Sequence, residues 1–273
     1  MKIPLFAALL SVFSLAVSAA ECPVHAPVGL ASPGKLTIAT HLSTPPQAFL
    51  ENEKPAGMAV DLGEALAQQM CLRAEFVNIA FAGLFPGIDA KKFDTIIAGV
   101  GITPARKESF DFVPYFQGGV RLLNRKESPK SFKSEDELCG LSVATQTGST
   151  EAIGLERANK ETCAEGKKIT ILGYPNFNEA VQQLRKGVAD VAFVDWPFAN
   201  YLAQAVPEFK LASPILSGTP GKPRNLHGMV VRKGDAAMAA ALADALARVQ
   251  GNGTYDKILA KWNLSEGDIR LIK

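Results

Sequence analysis

KLTIATHLSTPPQAFLENEKPAGMAVDLGEALAQQMCLRAEFVNI, residues 35–79, reads as strand, helix and strand in turn. Leu36–Thr40 and Glu75–Ile79 are short β-rich runs, and Asp61 opens a helix in which Leu62, Leu66 and Met70 recur at i, i+4 and i+8. Strand, crossover helix and strand form the unit of a sheet with helices on its faces. The alternation continues through the strand-like runs Asp94–Val100, Leu141–Thr145, Lys168–Leu172 and Asp190–Val194, with a helix over Asn178–Lys186 that buries Val181 and Leu184. Near the end, Met238, Leu242, Leu246 and Val249 form one helical stripe. Gly251-Asn252-Gly253 breaks it, and Tyr255, Ile258, Leu259 and Trp262 form the next. Segments marked by Pro and Gly, at Pro114–Gly119 and Gly218–Gly228, bracket the middle third of the chain. A domain inserted between two crossings is the reading they suggest.

Working outward, Lys2 precedes an apolar run from Ile3 to Val17 that ends in Ser18, Ala19 and Ala20, the layout of a secretory signal peptide cleaved near Ala20. The run is broken by Pro4, Ser11 and Ser14 and falls short of the ~20 apolar residues of a membrane span. Glu21 stands where lipid attachment at Cys22 would require a small residue. The expected mature chain is therefore a soluble periplasmic protein, long enough for two modest domains. Loss of Lys2 leaves 28 basic against 27 acidic residues with no dense basic block, so nucleic acid is not an expected partner.

Export favours disulfides. The four cysteines allow three pairings. Cys139 and Cys163 each precede a strand-like run, so the segment between them is a local excursion whose ends meet. That pairs Cys139 with Cys163 and, by elimination, Cys22 with Cys71. No CxxC half-site exists to hold a metal, and no metal or cofactor is expected.

Several blocks occur in order: Lys35–Thr40, Gly57–Leu62, Phe81–Pro86, Lys92–Gly99, Ile102–Arg106, Phe110–Phe112, Val143–Gly148, Ala192–Pro197, Val231–Gly234, Gly253–Asp256 and Lys261-Trp262. Together they resemble the polar amino-acid-binding proteins of bacterial ABC importers. The resemblance implies an α/β, two-lobed periplasmic-binding-protein-like fold of the Venus-flytrap kind, each lobe a mixed, mostly parallel sheet flanked by helices, with two hinge crossings. It places lobe 1 at residues 21–115 and 228–273, lobe 2 at 120–223, and hinges near 115–119 and 224–228. The implied protein is a monomer and not an enzyme. It captures a free α-amino acid in the interlobe cleft by closing on it, then presents it to an inner-membrane ABC permease.

Chemistry and resemblance together name the cleft residues. A buried ligand carboxylate is best met by a planar guanidinium, and Arg106 lies where the family places its carboxylate clamp. It could instead be a surface arginine paired with Glu108 or Asp111. Thr103 offers a hydroxyl or only a helix cap. Asp195, at the end of the run Val191–Val194, matches the ammonium-binding aspartate, although it could simply cap the next helix. Gly148 and Ser149 offer backbone N–H groups. Gly99 and Gly101 are placed with them, Gly101 standing where most relatives carry Ser or Thr. Phe81 is an aromatic wall or a core residue.

The side-chain end of the cleft is expected at His41, Thr44, Phe81, Ala144 and Trp196. His41 stands where relatives that prefer basic ligands carry Asp, and it could donate to an acidic or amide side chain. The expected ligand is thus an uncharged polar or acidic amino acid, unless His41 is only a solvated lip. An alternative of another class is a periplasmic cyclohexadienyl dehydratase, which resembles this family and needs a proton donor above its substrate.

Overall fold

A computed structural model of the chain describes residues 22–217 and 224–272. The expected leader at residues 1–20 and the 218–223 part of the second expected crossing lie outside these residues. The first run of elements is β1 (Lys35–Thr40), β2 (Ser43–Thr44), β3 (Ala48–Glu51), β4 (Lys54–Ala56), α1 (Met58–Gln69), β5 (Arg73–Asn78), α2 (Phe81–Asp89), β6 (Thr95–Ile96), α3 (Pro104–Ser109) and β7 (Phe110–Gln117). The middle run is β8 (Val120–Arg125), β9 (Ser142–Gln146), α4 (Thr150–Glu161), β10 (Thr170–Tyr174), α5 (Phe177–Arg185), β11 (Val191–Asp195), α6 (Trp196–Ala205) and β12 (Phe209–Leu211). The chain ends with β13 (Leu226–Arg232), α7 (Ala236–Gly251) and α8 (Thr254–Lys261).

Two five-stranded sheets result, in the orders β5-β1-β6-β13-β7 and β10-β9-β11-β8-β12, and β2, β3 and β4 form a small third sheet. Within each large sheet one strand, β13 or β8, runs against the other four. This is the mixed, mostly parallel, two-lobed α/β arrangement read from the sequence. The chain leaves the first sheet after Gln117 and enters the second at Val120. Gly119 takes φ 131°, and a Cβ there would lie 2.9 Å from both Ile215 and the Leu216 carbonyl oxygen, so this passage admits only glycine.

Both faces of each sheet are covered. In lobe 1, Leu36 and Ile38 pack with α1, α7 and α8 through Leu62, Leu66, Leu242, Leu246 and Leu259. Ala39 and Ile96 meet α2 on the opposite face through Leu84 and Ile88. In lobe 2, Val143, Val191 and Phe193 pack with Leu155 and Ala158 of α4. Ala192 and Val194 pack with Val181 and Leu184 of α5 and Phe198 of α6. Side chains one residue apart on a strand point to opposite faces, which is why near-continuous apolar runs specify such doubly covered sheets.

Most strand and helix ends fall within one or two residues of the sequence reading, and two differ by more. Helix α1 starts at Met58, ahead of Asp61, because the Met58 and Ala59 amides donate to the carbonyls of Pro46 and Gln47. Backbone carbonyls of the preceding loop thus satisfy the first amides of the helix. Asp61 instead accepts from Lys261 Nζ at 2.7 Å and from the Trp262 indole at 2.8 Å. The expected strand Asp94–Val100 pairs only at Thr95–Ile96, because the chain beyond it turns into the interlobe cleft. The disulfides join Cys139 to Cys163 and Cys22 to Cys71, as expected.

Candidate functional site

The cleft between the lobes holds a cavity. Lobe 1 lines it with His41, Thr44, Gln47, Phe81, Gly99, Gly101 and Arg106. Lobe 2 contributes Gln146, Ser149, Thr150, Glu151, Phe177 and Asp195. The lining is therefore drawn from loops at strand ends of both sheets, where ligand sites of open α/β sheets gather.

Arg106 is carried on α3, whose N-cap is Thr103. The Thr103 hydroxyl accepts from the Arg106 amide at 3.2 Å. Thr103 thus acts by capping the helix that presents the guanidinium, and it does not line the cavity. The guanidinium lies 5.2 Å from the ring centroid of Phe85 and 5.9 Å from that of Phe81, which holds its plane by cation–π contact. Nη1 donates to the Gly101 carbonyl at 2.7 Å and Nη2 to the Gly148 carbonyl at 2.9 Å, so one side chain ties the two lobes. The remaining N–H groups, without a hydrogen-bond partner among the described residues, could meet a carboxylate. It is the Gly148 carbonyl, not its amide, that meets Arg106. Ser149 caps α4 by accepting from the Ala152 amide.

Asp195 ends β11 across the cleft and is buried. Gln47 Nε2 donates to its Oδ2 at 2.6 Å. Its Oδ1 has no hydrogen-bond partner among the described residues, and neither has the Oε1 of Gln47. Two buried acceptors without donors, on residues that line one cavity, suit a ligand ammonium, because leaving such groups unpaired is costly. Burial, and next the charge of Glu151, push the Asp195 carboxyl well above the usual carboxylate range, against the Gln47 hydrogen bond. His227 Nε2 stands 3.7 Å behind Oδ1. Burial lowers the His227 pKa to about 3, so the ring is a neutral neighbour and not a counter-ion.

Of the other expected residues, His41, Thr44, Phe81, Gly99, Gly101 and Ser149 line the cavity. His41 is committed on both nitrogens: Nδ1 lies 3.3 Å from the Ile79 carbonyl, to which it donates, and Nε2 accepts the Ser43 hydroxyl at 2.6 Å. It is not free to recognise an acidic or amide side chain. Ala144 is displaced from the expected site, because it is buried on the interior strand β9 with Ala180 and Ala189. Trp196 is displaced too. Its ring stacks on Phe116 at 5.7 Å and its indole donates to the Gln117 carbonyl, so it packs where the chain crosses between lobes. Gln47 and Glu151 carry polar atoms into the cavity and had been assigned no role. Gln47 lies in an irregular loop with no periodicity to flag it. Glu151 reads in sequence as an ordinary acidic residue of a first helical turn.

Two lobes, a cleft between them and opposed charged groups on its walls define a solute-binding protein. A family model of bacterial extracellular solute-binding proteins, family 3, matches residues 36–265, and the chain belongs to that family. It is 27% identical to ABC transporter arginine-binding protein 1 of Escherichia coli (strain K12), over 96% of this chain and 99% of that protein. Among solved structures it is similar to an ancestral arginine-binding protein bound to arginine, at TM-score 0.75 and 32% identity over 84% of this chain and 98% of that one. It is also similar to the ancestral amino acid-binding protein AncCDT-1, a precursor of cyclohexadienyl dehydratase, at TM-score 0.73 and 31% identity, over 84% of this chain and 95% of that one.

Proposed function

We propose that this protein captures a free α-amino acid in the interlobe cleft and delivers it to an ABC permease, as a periplasmic monomer released from its leader near Ala20. The observation that carries this reading is the convergence of Arg106 with Asp195 and Gln47 on one cavity. The α-carboxylate would lie on the Arg106 guanidinium, and the α-ammonium on Asp195 Oδ1 and Gln47 Oε1. The lobes would be residues 21–115 with 228–273, and residues 120–223, hinged near 115–119 and 224–228. Ligand touching both walls then favours the closed arrangement. No catalytic step is assigned to the cleft. Calorimetry with the common amino acids tests the reading: saturable binding of at least one supports it, and no binding of any refutes it. A further panel with prephenate and arogenate, monitored for phenylpyruvate and phenylalanine, would reveal turnover if the dehydratase alternative held.

A further inference from the structure

Resting on that reading, the walls of the cavity can be counted for charge. Arg106 supplies one cation. Glu151 and Asp195 supply two carboxylates, 4% and 5% exposed. Two histidines at these walls do not alter the sum. Burial lowers the pKa of His41, which is held by Ile79 and Ser43, and it keeps His227 neutral above a pH of about 3. A zwitterionic amino acid adds no net charge. With its carboxylate on Arg106 and its ammonium on Asp195, it would leave Glu151 as a buried anion with no counter-charge, which a low-dielectric site penalises heavily.

Glu151 is the second residue of α4, next to the capping Ser149, and accepts from the Thr150 hydroxyl at 3.2 Å. Arg106 is the cation whose charge reaches it, and the ligand carboxylate would neutralise that cation. Thr150 and Glu151 also border a second cavity, bounded by Thr103, Arg157, Asn225 and His227 among others, with Arg157 drawn to Glu161 Oε2 at 3.9 Å. The wall at Glu151 is thus polar on both sides. The unpartnered oxygens of Asp195 and Gln47 are taken by the α-ammonium in this reading, so they leave no donor for Glu151.

We infer that Glu151 selects the ligand's charge, so that the cleft takes an amino acid bearing a second cationic group, such as a guanidinium or a side-chain ammonium. This reverses the preference that the sequence suggested from His41, whose donor is spent on the Ile79 carbonyl.

The test is calorimetry at pH 7.5 with arginine, lysine, glutamine and glutamate, on the wild-type protein and on Glu151→Gln and Glu151→Asp. The wild type should bind arginine or lysine at least roughly tenfold more tightly than glutamine. Glu151→Gln should shrink that ratio roughly tenfold through loss of the dibasic ligand, while Glu151→Asp, which keeps the charge, should retain the preference. Circular dichroism checks that each variant is folded. Glutamine binding as tight as that of both dibasic ligands overturns the inference, as does an unchanged ratio in Glu151→Gln. Tight glutamine binding with uptake of a proton, seen as an enthalpy that depends on the buffer, also overturns it yet leaves the amino-acid-binding reading intact. Failure to bind any amino acid would remove both.

Discussion

Gln47 Nε2 donates to Asp195 Oδ2 across 2.6 Å, joining two lobes at residues 148 positions apart in sequence. The bond fixes the Gln47 amide against the carboxylate, while Gln47 Oε1 and Asp195 Oδ1 are each without a partner among the described residues. A positioned amide and a carboxylate thus make one acceptor pair. Gln47→Leu should therefore weaken amino-acid binding by roughly ten- to a hundredfold, the range for a hydrogen bond to a charged group. Titration calorimetry reads this directly, and an affinity within threefold of wild type would remove Gln47 from the site.

Arg106→Ala and Asp195→Ala should each leave a folded protein and weaken binding more severely. Each strands a buried ligand charge, which costs about 2–5 kcal/mol, or roughly 30- to several-thousand-fold in affinity. Arg106→Ala also removes the bonds to Gly101 and Gly148 that tie the lobes. Small-angle scattering with saturating ligand should accordingly show a more open particle for this variant than for Asp195→Ala. Identical scattering from the two would refute a lobe-bridging role for Arg106.

Arg106 and Asp195 were legible in the sequence because strand ends and turns concentrate ligand chemistry, and each is preceded by a readable pattern. Gln47 and Glu151 were not, since their roles come from what closure sets opposite them. Ala144 and Trp196 were misplaced for a related reason. A sequence shows that Ala144 lies on a strand, but not that α5 covers the face it points to. It shows Trp196 after Asp195, but not that Phe116 lies ready to stack on it. The cysteine pairing was recoverable because both members of Cys139–Cys163 flank strand starts within one local excursion. The start of α1 was not, because its capping groups are backbone carbonyls with no residue signature.

A Cβ at Gly101 would lie 2.4 Å from Asn225 Nδ2 and 2.6 Å from Thr150 Cγ2 of the opposing lobe, so both side chains would have to give way. Glycine thus lets the lobes approach at a position where the resemblance places a hydroxyl residue. Gly101→Ala should oppose closure by about 1–2 kcal/mol, an overpacking penalty, and weaken ligand binding roughly 5- to 30-fold. Adding Thr150→Gly should recover part of the loss. A double variant no better than the single would place the obstruction at Asn225 alone.

Cys139 and Cys163 close a loop with a sequence separation of 24. Replacing both with serine should lower stability by about 3–4 kcal/mol in the chain-entropy account, seen as an earlier midpoint in urea. Neither cysteine lines the cavity, although Gln146, Ser149, Thr150 and Glu151 within the closed loop do; with β9 and α4 held by the lobe 2 core, ligand affinity should change less than threefold. A midpoint unchanged within error would mean that the unfolded chain keeps these segments together without the bond.

Binding should also respond to pH in a direction set by the two buried carboxyls. Burial raises the pKa of Asp195 and of Glu151, each further tuned by charge: Glu151 pushes Asp195 up, and Arg106 pulls Glu151 down. A carboxyl raised in the folded state holds a proton that the unfolded chain has already lost. Between the ordinary carboxylate range, about pH 4, and the raised values, these groups therefore make the ligand-free protein less stable as pH rises. A bound ammonium favours the ionised carboxylate and so lowers the raised pKa. Binding then releases protons, and affinity should climb with pH by up to about tenfold per unit for each proton released, levelling once both groups are ionised. His227 cannot mimic this behaviour, since its pKa of about 3 lies below the window. The rise of thermal midpoint on adding ligand should thus be larger at pH 7.5 than at pH 5. Asp195→Asn, which has no proton to release, should flatten the profile, and an equally steep profile in that variant would assign the linkage to Glu151 alone.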